Sequence, residues 1–411
     1  MMENKVMPKL RFREFSGAWE ERKLSELLIK YSESNKDEEF NINEILSLSS
    51  TQGIVNRQEL LDDTYSNVNH LNYKKTRLND LVYGKSITSS YPYGLFKVND
   101  CKDGLLSTLY FTFKVTNKVT PKFLDCYFSL TNRTNNFLKK FVVVGDRYIT
   151  VDADFLLTGK IYIPNQIVEQ EKIANYLSAL DEKINLLSAK EKELLRYKKA
   201  MMQKLFGQEI RFNDGEGKAF AEWEEKKLGE VISIKGGYAF KSDSFKESGI
   251  PIIRISNISS TTNVIDTDNL VYYDEVTIAD SYKVYKGELL VALSGATTGK
   301  ACVYDLSTYS YVNQRVGVFK SLNRCYYPFI SQFVLSDLFA KALVKMLVAG
   351  AQPNISTSDL ESIDINIPKS IAEQQKIADF LSAIDEKINK AQEKIEETKS
   401  FKKAMLQQMF V

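Results

Sequence analysis

Apolar residues recur every three or four positions in two long stretches of the chain, residues 169–206 and 373–410. Eight of the ten positions on this seam are apolar in each stretch. A seam of this period, kept over about five heptads, predicts a coiled coil with helices about 55 Å long. Its clearest members are Ile173, Leu177, Leu180, Ile184 and Leu187 in the first stretch and Ile377, Leu381, Ile384 and Ile388 in the second.

The two stretches are copies of each other. They align without a gap at an offset of 204 residues, and 21 of their 38 paired residues are identical. Two matching seams in one chain most simply bury each other, and an antiparallel pair would relate the repeats by an approximate twofold axis. The alternative is that each helix lies on its own domain.

Local signals mark the ends of both helices. Pro164 and Pro368 precede them, Ser370 and Glu373 have the spacing of a capping box, and Gly207 follows the first copy. These residue types favour helix starts and stops at such positions.

The repeat extends beyond the helices. Residues 19–28 (WEERKLSELL) return as residues 223–232 (WEEKKLGEVI), residues 10–12 resemble residues 210–212, and residues 161–164 resemble residues 365–368. We therefore predict a first module at 1–165, a helix at 166–206, a second module at 207–368 and a helix at 369–411.

The modules diverge between these anchors. Strand-like runs are predicted at 46–48, 81–83 and 106–115, with a helix near 123–141; the second module has strands at 252–258, 288–293 and 312–319, then a helix that follows Pro328 and ends near Leu347. This mixture predicts two α/β domains. A repeated framework around a varied middle is what a scaffold holding two different readers would show.

Composition excludes several classes of protein. Lys and Arg total 55 against 53 acidic residues, so any nucleic-acid binding must depend on local patches. The four cysteines have no metal-type spacing and are typical of a reduced cytoplasmic protein. Neither a secretory leader nor an apolar run of membrane-spanning length is found in the sequence.

The segment SGATTGK at 294–300 is similar to a phosphate-binding P-loop, but it fails the pattern. Three residues instead of four separate Gly295 from Gly299, and Ala301 follows Lys300. Hydroxyl groups, backbone N–H groups and one lysine would nevertheless suit DNA phosphates and base edges. The alternative is an ordinary polar hairpin turn.

Amide-bearing loops form a second candidate. Gln352 and Asn354 could pair with adenine, while Gln314 and Arg315 offer an amide and a guanidinium that suits guanine. The first module has polar loops at the corresponding points, residues 84–93 and 145–148. Such residues are usually solvated turn residues, but their recurrence in both modules favours a binding role.

Groups for catalysis are scarce. His70 is the only histidine, which leaves almost no material for a zinc site or a histidine mechanism. The Asp-Glu-Lys triplet at 181–183 could suggest a nuclease, yet it repeats at 385–387 on the polar side of each heptad. A solvated or partner-facing helix surface is the better interpretation.

Taken together, these motifs resemble the specificity subunit of type I restriction–modification systems. The resemblance rests on the two WEE-x-KL openings, residues 287–300, residues 350–356 and the two helices that begin Glu-Gln-x-Lys-Ile-Ala, and it covers nearly the whole chain. It implies two target-recognition domains that read the halves of a bipartite, asymmetric site in double-stranded DNA. The first module lacks both the SGATTGK and the Gln-Pro-Asn loops of the second.

The resemblance also implies partners, and it makes each long helix, 166–206 and 369–411, a spacer and a docking surface for them. Two modification subunits would methylate adenine with S-adenosylmethionine, restriction subunits would supply ATP- and Mg-dependent translocation and cleavage, and this chain would bind no cofactor or metal and catalyse nothing. A single-chain nuclease and a coiled-coil scaffold without DNA binding remain the alternatives. The candidate DNA-binding residues are Ser86, Thr88, Ser89, Ser90, Tyr91, Tyr93, Arg147 and Tyr148 in the first module, and Ser294, Thr297, Thr298, Lys300, Gln314, Arg315, Gln352, Asn354 and Ser356 in the second.

Overall fold

Two long helices, Ile167–Phe206 and Ile371–Met409, confirm the main sequence prediction. They begin one and two residues after the predicted positions, 166 and 369. The computed structural model describes residues 6–60, 69–145, 149–259, 263–350 and 354–411. The chain has two units: Met1–Ser188 with Glu393–Val411, and Ala189–Gln392. Each unit therefore contains one module and part of both long helices, whereas the sequence prediction kept every helix separate from the modules.

The first unit is a mixed α/β structure. Its strands are β1 (Glu20–Lys23), β2 (Leu28–Tyr31), β3 (Leu46–Ser49), β4 (Gly53–Asn56), β5 (Lys74–Thr76), β6 (Leu81–Gly84), β7 (Leu95–Val98), β8 (Gly104–Leu106), β9 (Tyr110–Val115), β10 (Val142–Val144), β11 (Ile149–Val151) and β12 (Lys160–Ile163). Its helices are α1 (Leu24–Leu27), α2 (Arg57–Leu60), α3 (Pro121–Ser129), α4 (Thr131–Leu138), α5 (Ala153–Leu157) and the first part of α6 (Ile167–Phe206).

An antiparallel sheet in the order β2-β9-β6-β7 forms the centre of the first unit. Leu81 pairs with both Phe113 and Val98 across its neighbours. The same hydrophobic core contains Phe123 of α3, Leu177 of α6 and Phe410 at the end of the chain, all nearly inaccessible to solvent. Because the central strands of this sheet are packed into the core, their sequences consist largely of apolar residues.

The second unit repeats this plan. Its strands are β13 (Glu224–Lys227), β14 (Ile232–Gly236), β15 (Ile250–Ile253), β16 (Val271–Tyr273), β17 (Lys283–Val284), β18 (Leu289–Ala292), β19 (Ala301–Val303), β20 (Ser310–Val312), β21 (Val316–Ser321) and β22 (Asp364–Ile367). Its helices are α7 (Leu228–Val231), α8 (Tyr327–Val334), α9 (Asp337–Gly350), α10 (Thr357–Glu361) and the first part of α11 (Ile371–Met409).

The central sheet of the second unit has the order β14-β21-β18-β19, which is the topology of the first. A further sheet, β16-β15-β20-β17, contains a parallel pairing of Ile252 with Tyr311. The two units thus share one framework and differ in what is attached to it.

A buried ion pair fixes the start of each long helix. The Glu169 carboxylate accepts bonds from Arg11 (2.7 Å) and from the Trp19 indole (3.4 Å). Glu373 accepts from Arg211 (3.1 Å) and Trp223 (3.2 Å) in the same way. The sequence prediction that Glu373 caps its own helix through a box with Ser370 is therefore replaced by this longer-range contact.

The glutamine that follows this glutamate in each helix is also buried, and its side-chain amide both accepts and donates hydrogen bonds. Gln170 accepts from Thr120 N (2.9 Å) and donates to Pro164 O (2.9 Å). Gln374 accepts from Tyr326 N (2.7 Å) and donates to Pro368 O (2.8 Å). The repeated Glu-Gln dipeptide is thus a joint between module and helix, because buried polar groups require partners.

The long helices contact each other within each unit. In the second unit Lys198 binds Asp385 (2.6 Å) and Gln392 binds Glu191 (2.7 Å), so passing forward along α6 means passing backward along α11. These segments are antiparallel. The first unit has the equivalent pair, Asp181 with Lys402.

Burial follows the predicted seam. Ile173 and Leu177 are buried, Leu180, Ile184 and Leu187 are half-buried, and Ile377, Leu381, Ile384 and Ile388 are buried. The Asp-Glu-Lys surface, predicted to be solvated or partner-facing, also makes contacts within the chain, because each aspartate binds a lysine of the facing long helix while Asp181 remains exposed. The glutamate and lysine that follow each aspartate are exposed, as expected.

Five predicted elements are interrupted in the structure, and one of them, the helix that follows Pro328, becomes α8 and α9. The run 106–115 becomes β8 and β9, and 312–319 becomes β20 and β21, each broken by a tight turn. The strand at 252–258 ends at Ile253, before a 3-10 turn. The helix near 123–141 is split into α3 and α4 at Leu130, where the Thr134 hydroxyl bonds to Phe128 O (2.7 Å).

Candidate nucleic-acid interface

In the second unit the three predicted loops meet at one residue, Leu293. Strand β18 ends at Ala292, so Leu293 begins the SGATTGK loop. Its N–H donates to Arg315 O (2.9 Å), and its carbonyl accepts from Ile355 N (2.9 Å). The loops at 294–300, 313–315 and 354–356, far apart in the sequence, therefore form one surface at the end of the central sheet.

Internal hydrogen bonds fix the shape of the SGATTGK loop. Thr298 donates to Gly295 O through both its N–H (3.1 Å) and its hydroxyl (2.6 Å), and the Thr297 hydroxyl donates to Ile255 O (3.2 Å). Gly295 and Gly299 have φ of 88° and 80°, which side-chain-bearing residues rarely adopt. The two predicted threonines therefore build the loop. Within it, Ser294 is half-buried and Lys300 is exposed.

Several predicted side chains of this surface project into solvent. Lys300, Gln314, Arg315 and Asn354 are exposed, and none holds a side-chain hydrogen bond or ion pair within the described parts of the chain. Uncommitted amide, guanidinium and ammonium groups are what base and phosphate contacts need. Gln352 lies outside the described residues.

Ser356 has a structural role. Its hydroxyl accepts from Asp359 N (3.1 Å) and caps α10, while Asp359 Oδ2 accepts from Ser356 N (2.9 Å). Hydrogen bonding from the Ser356 hydroxyl, and after it from the Ser356 backbone N–H, lowers the pKa of the Asp359 carboxyl. Ser356 thus holds the loop in place through a helix start and is not a free donor for DNA.

The first unit brings its own loops together in the same way. Strand β6 ends at Gly84, and the carbonyl of the next residue, Lys85, accepts from Ile149 N (3.3 Å). This bond is the counterpart of that from Ile355 N to Leu293 O. Arg147 and Tyr148, which precede Ile149, lie outside the described residues.

The sequence prediction missed one segment of this surface, residues 107–109. Tyr110 N donates to Ser107 O (3.2 Å) just before β9, as Val316 N donates to Asn313 O (2.9 Å) just before β21. Ser107 and exposed Thr108 therefore take the place of Asn313 and Gln314. A signal for this turn exists in the sequence, because Ser-Thr interrupts an otherwise apolar run. The apolar content of the whole run nevertheless predicts one continuous strand.

Residues 86–93 form a turn braced from several sides. Thr88 and Tyr91 exchange backbone bonds (3.3 and 3.1 Å), and the Thr88 hydroxyl accepts from Tyr91 N (3.1 Å). Ser90 O accepts from the Asn135 amide (3.0 Å), and Tyr93 O accepts from the Tyr83 hydroxyl (2.7 Å). Ser89 and Ser90 are exposed, whereas Ser86, Tyr91 and Tyr93 are half-buried.

Two buried polar atoms at these surfaces lack a partner. Ser294 Oγ and Asn135 Oδ1 are shielded from solvent without a hydrogen bond among the described residues. Buried polar atoms are nearly always paired, and an unpaired one needs an explanation such as a missing ligand or water. Their places beside equivalent loops point to the same surface in each unit.

Metal or thiol chemistry finds little support in the described ranges. They contain no group of three or more His, Cys, Asp and Glu side chains able to hold a metal ion. All four cysteines are free, and burial raises the pKa of the Cys302 thiol to about 12. Cys302 therefore packs a core and is a poor nucleophile.

Comparison with known proteins identifies the family. The family model for the type I restriction modification DNA specificity domain matches residues 17–196 and 221–398, one match for each repeat. The chain belongs to this family. As a specificity subunit it recognises DNA and works within a complex with other restriction–modification subunits, which agrees with the resemblance seen in the sequence.

Individual relatives agree with this assignment. The chain is 29% identical over 322 residues to the MjaVIII type I restriction enzyme specificity subunit of Methanocaldococcus jannaschii, covering 74% of this chain and 73% of that protein. It is 26% identical over 175 residues to the EcoAI specificity subunit of Escherichia coli, covering 41% and 29%.

Solved structures show the shared fold. The type I restriction–modification S subunit from M. genitalium has a TM-score of 0.64 at 16% identity, covering 99% of both chains. A chain from a structural study of assembly in the type I R-M system has a TM-score of 0.53 at 17% identity, covering 95% and 97%. Among the described helices, none is long and apolar enough to cross a membrane.

Proposed function

We propose that this specificity subunit reads a bipartite, asymmetric site in double-stranded DNA, one half with each module. The observation that carries the proposal is the loop surface that recurs at the end of each central sheet, with two equivalent backbone bonds and different side chains. Two modules with equivalent loop backbones but different loop side chains would recognise different half-sites.

The residues proposed to read bases are the exposed, uncommitted ones. In the second module Arg315, with a planar bidentate guanidinium, suits guanine, and Gln314 and Asn354 suit adenine. In the first module, Ser89, Ser90 and Thr108 offer hydroxyl groups that can donate or accept. Thr88, Thr297, Thr298 and Ser356 are assigned instead to holding their loops, because their hydroxyls are already bonded.

The proposed partners follow from the family. Two modification subunits would bind S-adenosylmethionine and methylate adenine, and restriction subunits would use ATP and Mg to translocate and cleave. The long helices would provide their docking surfaces. This chain would hold none of these cofactors, and its own contribution would be binding and positioning.

The test is to map methylated adenines in DNA from cells that express the chain with its modification subunit. Arg315→Ala should relax one half of the motif and Thr108→Ala the other, at about 1–3 kcal/mol per lost base contact. Ser356→Ala is the matched control, since it should cost about 1 kcal/mol of stability and leave the motif unchanged.

Three results would overturn the proposal. If Arg315→Ala and Thr108→Ala altered the same half of the motif, the modules would not read separate half-sites. Methylation or cleavage by the purified chain alone would favour the single-chain enzyme, and the absence of any DNA binding by the complex would favour the scaffold.

A further inference from the structure

We propose that Lys74 and Lys85, both held over the ring of Phe111, form a phosphate-binding clamp that gives the first module a contact with the DNA backbone that has no counterpart at the equivalent positions of the second module. This inference rests on the proposed function and deepens it. The proposed contact is to the DNA backbone, so it would contribute affinity and orientation but no sequence specificity.

One aromatic ring organises the clamp. The Lys85 Nζ lies 3.9 Å from the centroid of the Phe111 ring, and the Lys74 Nζ lies 5.0 Å from the same centroid. Lys74 Nζ also donates to Tyr110 O (2.9 Å). The two ammonium groups are thus closer to each other than the roughly 10 Å over which salt screens charges.

Neither charge is neutralised. Lys74 and Lys85 have no carboxylate partner among the described residues. Neighbouring Lys30 behaves differently, since its Nζ binds Asp154 at 2.8 Å. Burial, with the added repulsion of Lys85 and Lys30, lowers the pKa of Lys74, and burial lowers that of Lys85. Two like charges kept together without an acid would be relieved by an anion.

The clamp lies at the loop surface already described. Lys85 is the first residue after β6 and accepts the bond from Ile149, and Tyr110 opens β9 directly after the turn at 107–109. An anion on these lysines would therefore be next to the loops proposed to read bases.

A phosphate fits this site better than a base edge. Both lysines are half-buried at the foot of the loops, so their reach is short, and an ammonium group is a point charge without the planar fork that reads guanine. Backbone phosphates are the most abundant anions on DNA and are contacted by fixed lysines.

The second module does not repeat the clamp. The residue after β18 is Leu293, in the place of Lys85. Strand pairing sets Gly317 opposite Val291 as it sets Phe111 opposite Tyr83, so a glycine stands where the ring would be. The lysine pair over one aromatic ring is therefore a property of the first module.

The experiment measures the salt dependence of DNA binding by the complex of the full chain with its modification subunit. The probes are a labelled duplex carrying the methylated site and a labelled random-sequence duplex, titrated between about 50 and 200 mM salt. Lys85→Gln should lower the slope of log affinity against log salt by about 1, and the Lys74→Gln, Lys85→Gln double variant by about 2, on both duplexes.

Three controls separate the outcomes. Lys85→Arg keeps the charge and should restore the slope, Lys30→Gln removes a neighbouring charge that already has an acid partner and should leave it unchanged, and thermal melting confirms that each variant folds. An unchanged slope in the double variant, with normal binding by the wild type, overturns the clamp and leaves the proposed function standing. A changed methylation motif with an unchanged slope also overturns it, in favour of base reading. Failure of the wild-type complex to bind either duplex would count against the proposed function itself.

Discussion

Each unit has one region in which the side-chain bonds of the repeat are kept and another in which the side chains differ. Where the module joins its long helix, Arg11, Trp19 and Glu169 make the same bonds as Arg211, Trp223 and Glu373. Where the loops meet, two backbone bonds recur, but Lys85 of the first unit corresponds in sequence position to Leu293 of the second. The contrast separates residues whose side chains hold the frame from loop residues whose side chains differ between the two units.

The difference has a physical basis. A buried carboxylate must keep its partners, because losing one leaves a charge without compensation in a medium of low polarity. An exposed loop side chain loses little when it is exchanged, provided that the backbone bonds beneath it remain. Frame and reader can therefore diverge at different rates within one chain.

The largest expected effect is at the buried carboxylates. Glu373→Ala should destabilise the second unit by about 3 kcal/mol, and Glu169→Ala the first by a similar amount, since each removes a buried carboxylate that binds both an arginine and a tryptophan. The chain has two tryptophans, one on each carboxylate, so fluorescence of Trp223 in a Trp19→Phe background reports the second unit, and the reverse reports the first.

The matched control for this prediction lies on the same arginine. Glu222 is 88% exposed at its side chain, 3.6 Å from Arg211, and Glu222→Ala should change stability by less than about 1 kcal/mol. Equal losses from Glu222→Ala and Glu373→Ala would show that burial does not decide the strength of the pair.

A smaller effect distinguishes the two helix contacts. The Lys198 side chain is 6% exposed and bonds both oxygens of Asp385, which also accepts from Gln332 (2.9 Å), whereas the Lys402 side chain is 21% exposed and its partner Asp181 is 51% exposed. Lys198→Met should cost about 1–2 kcal/mol in urea unfolding and Lys402→Met less than about 1 kcal/mol.

Methionine keeps the apolar stem of lysine, so the comparison isolates the charge. Lys390→Met removes an exposed partner of Glu386 and serves as the reference for a pair of little value. The reverse order, with Lys402 costing more, would contradict the assignment of the stronger contact to the second unit.

The smallest effect is a dependence on pH in the first module. Arg77, and after it Lys75, lowers the pKa of Glu39 to about 2. A lowered carboxylate pKa contributes stability that is present above the unfolded value of about 4.3 and is lost as pH falls through about 2. Glu39→Gln should therefore lower the melting temperature at pH 7, by an amount that shrinks steadily in acid.

The control is Glu216→Gln, which removes a charge from an exposed pair with Lys218 in the second unit. Melting temperatures of wild type and both variants, measured at several pH values below 7, test the prediction. A constant difference between wild type and Glu39→Gln as pH falls would exclude the ion pair as its cause.

Sequence alone determined the repeat and the long helices. Apolar spacing reports which face of a helix is buried, and Ile377, Leu381, Ile384 and Ile388 are indeed buried. The same periodicity did not predict where strands are interrupted. The turns before Tyr110 and Val316 each depend on one backbone hydrogen bond, and apolar spacing does not report such a bond.

Only the tertiary structure decided which polar residues meet and which are already used. Leu293 joins the loops at 294–300, 315 and 355 through backbone bonds. The hydroxyls of Thr297 and Ser356 are already used in holding these loops. In the first unit, Lys74 and Lys85 lie over the same aromatic ring. The physical reason is that periodicity records the environment of one element at a time. Hydrogen bonds between residues distant in the chain are fixed by how the sheet brings its strand ends together.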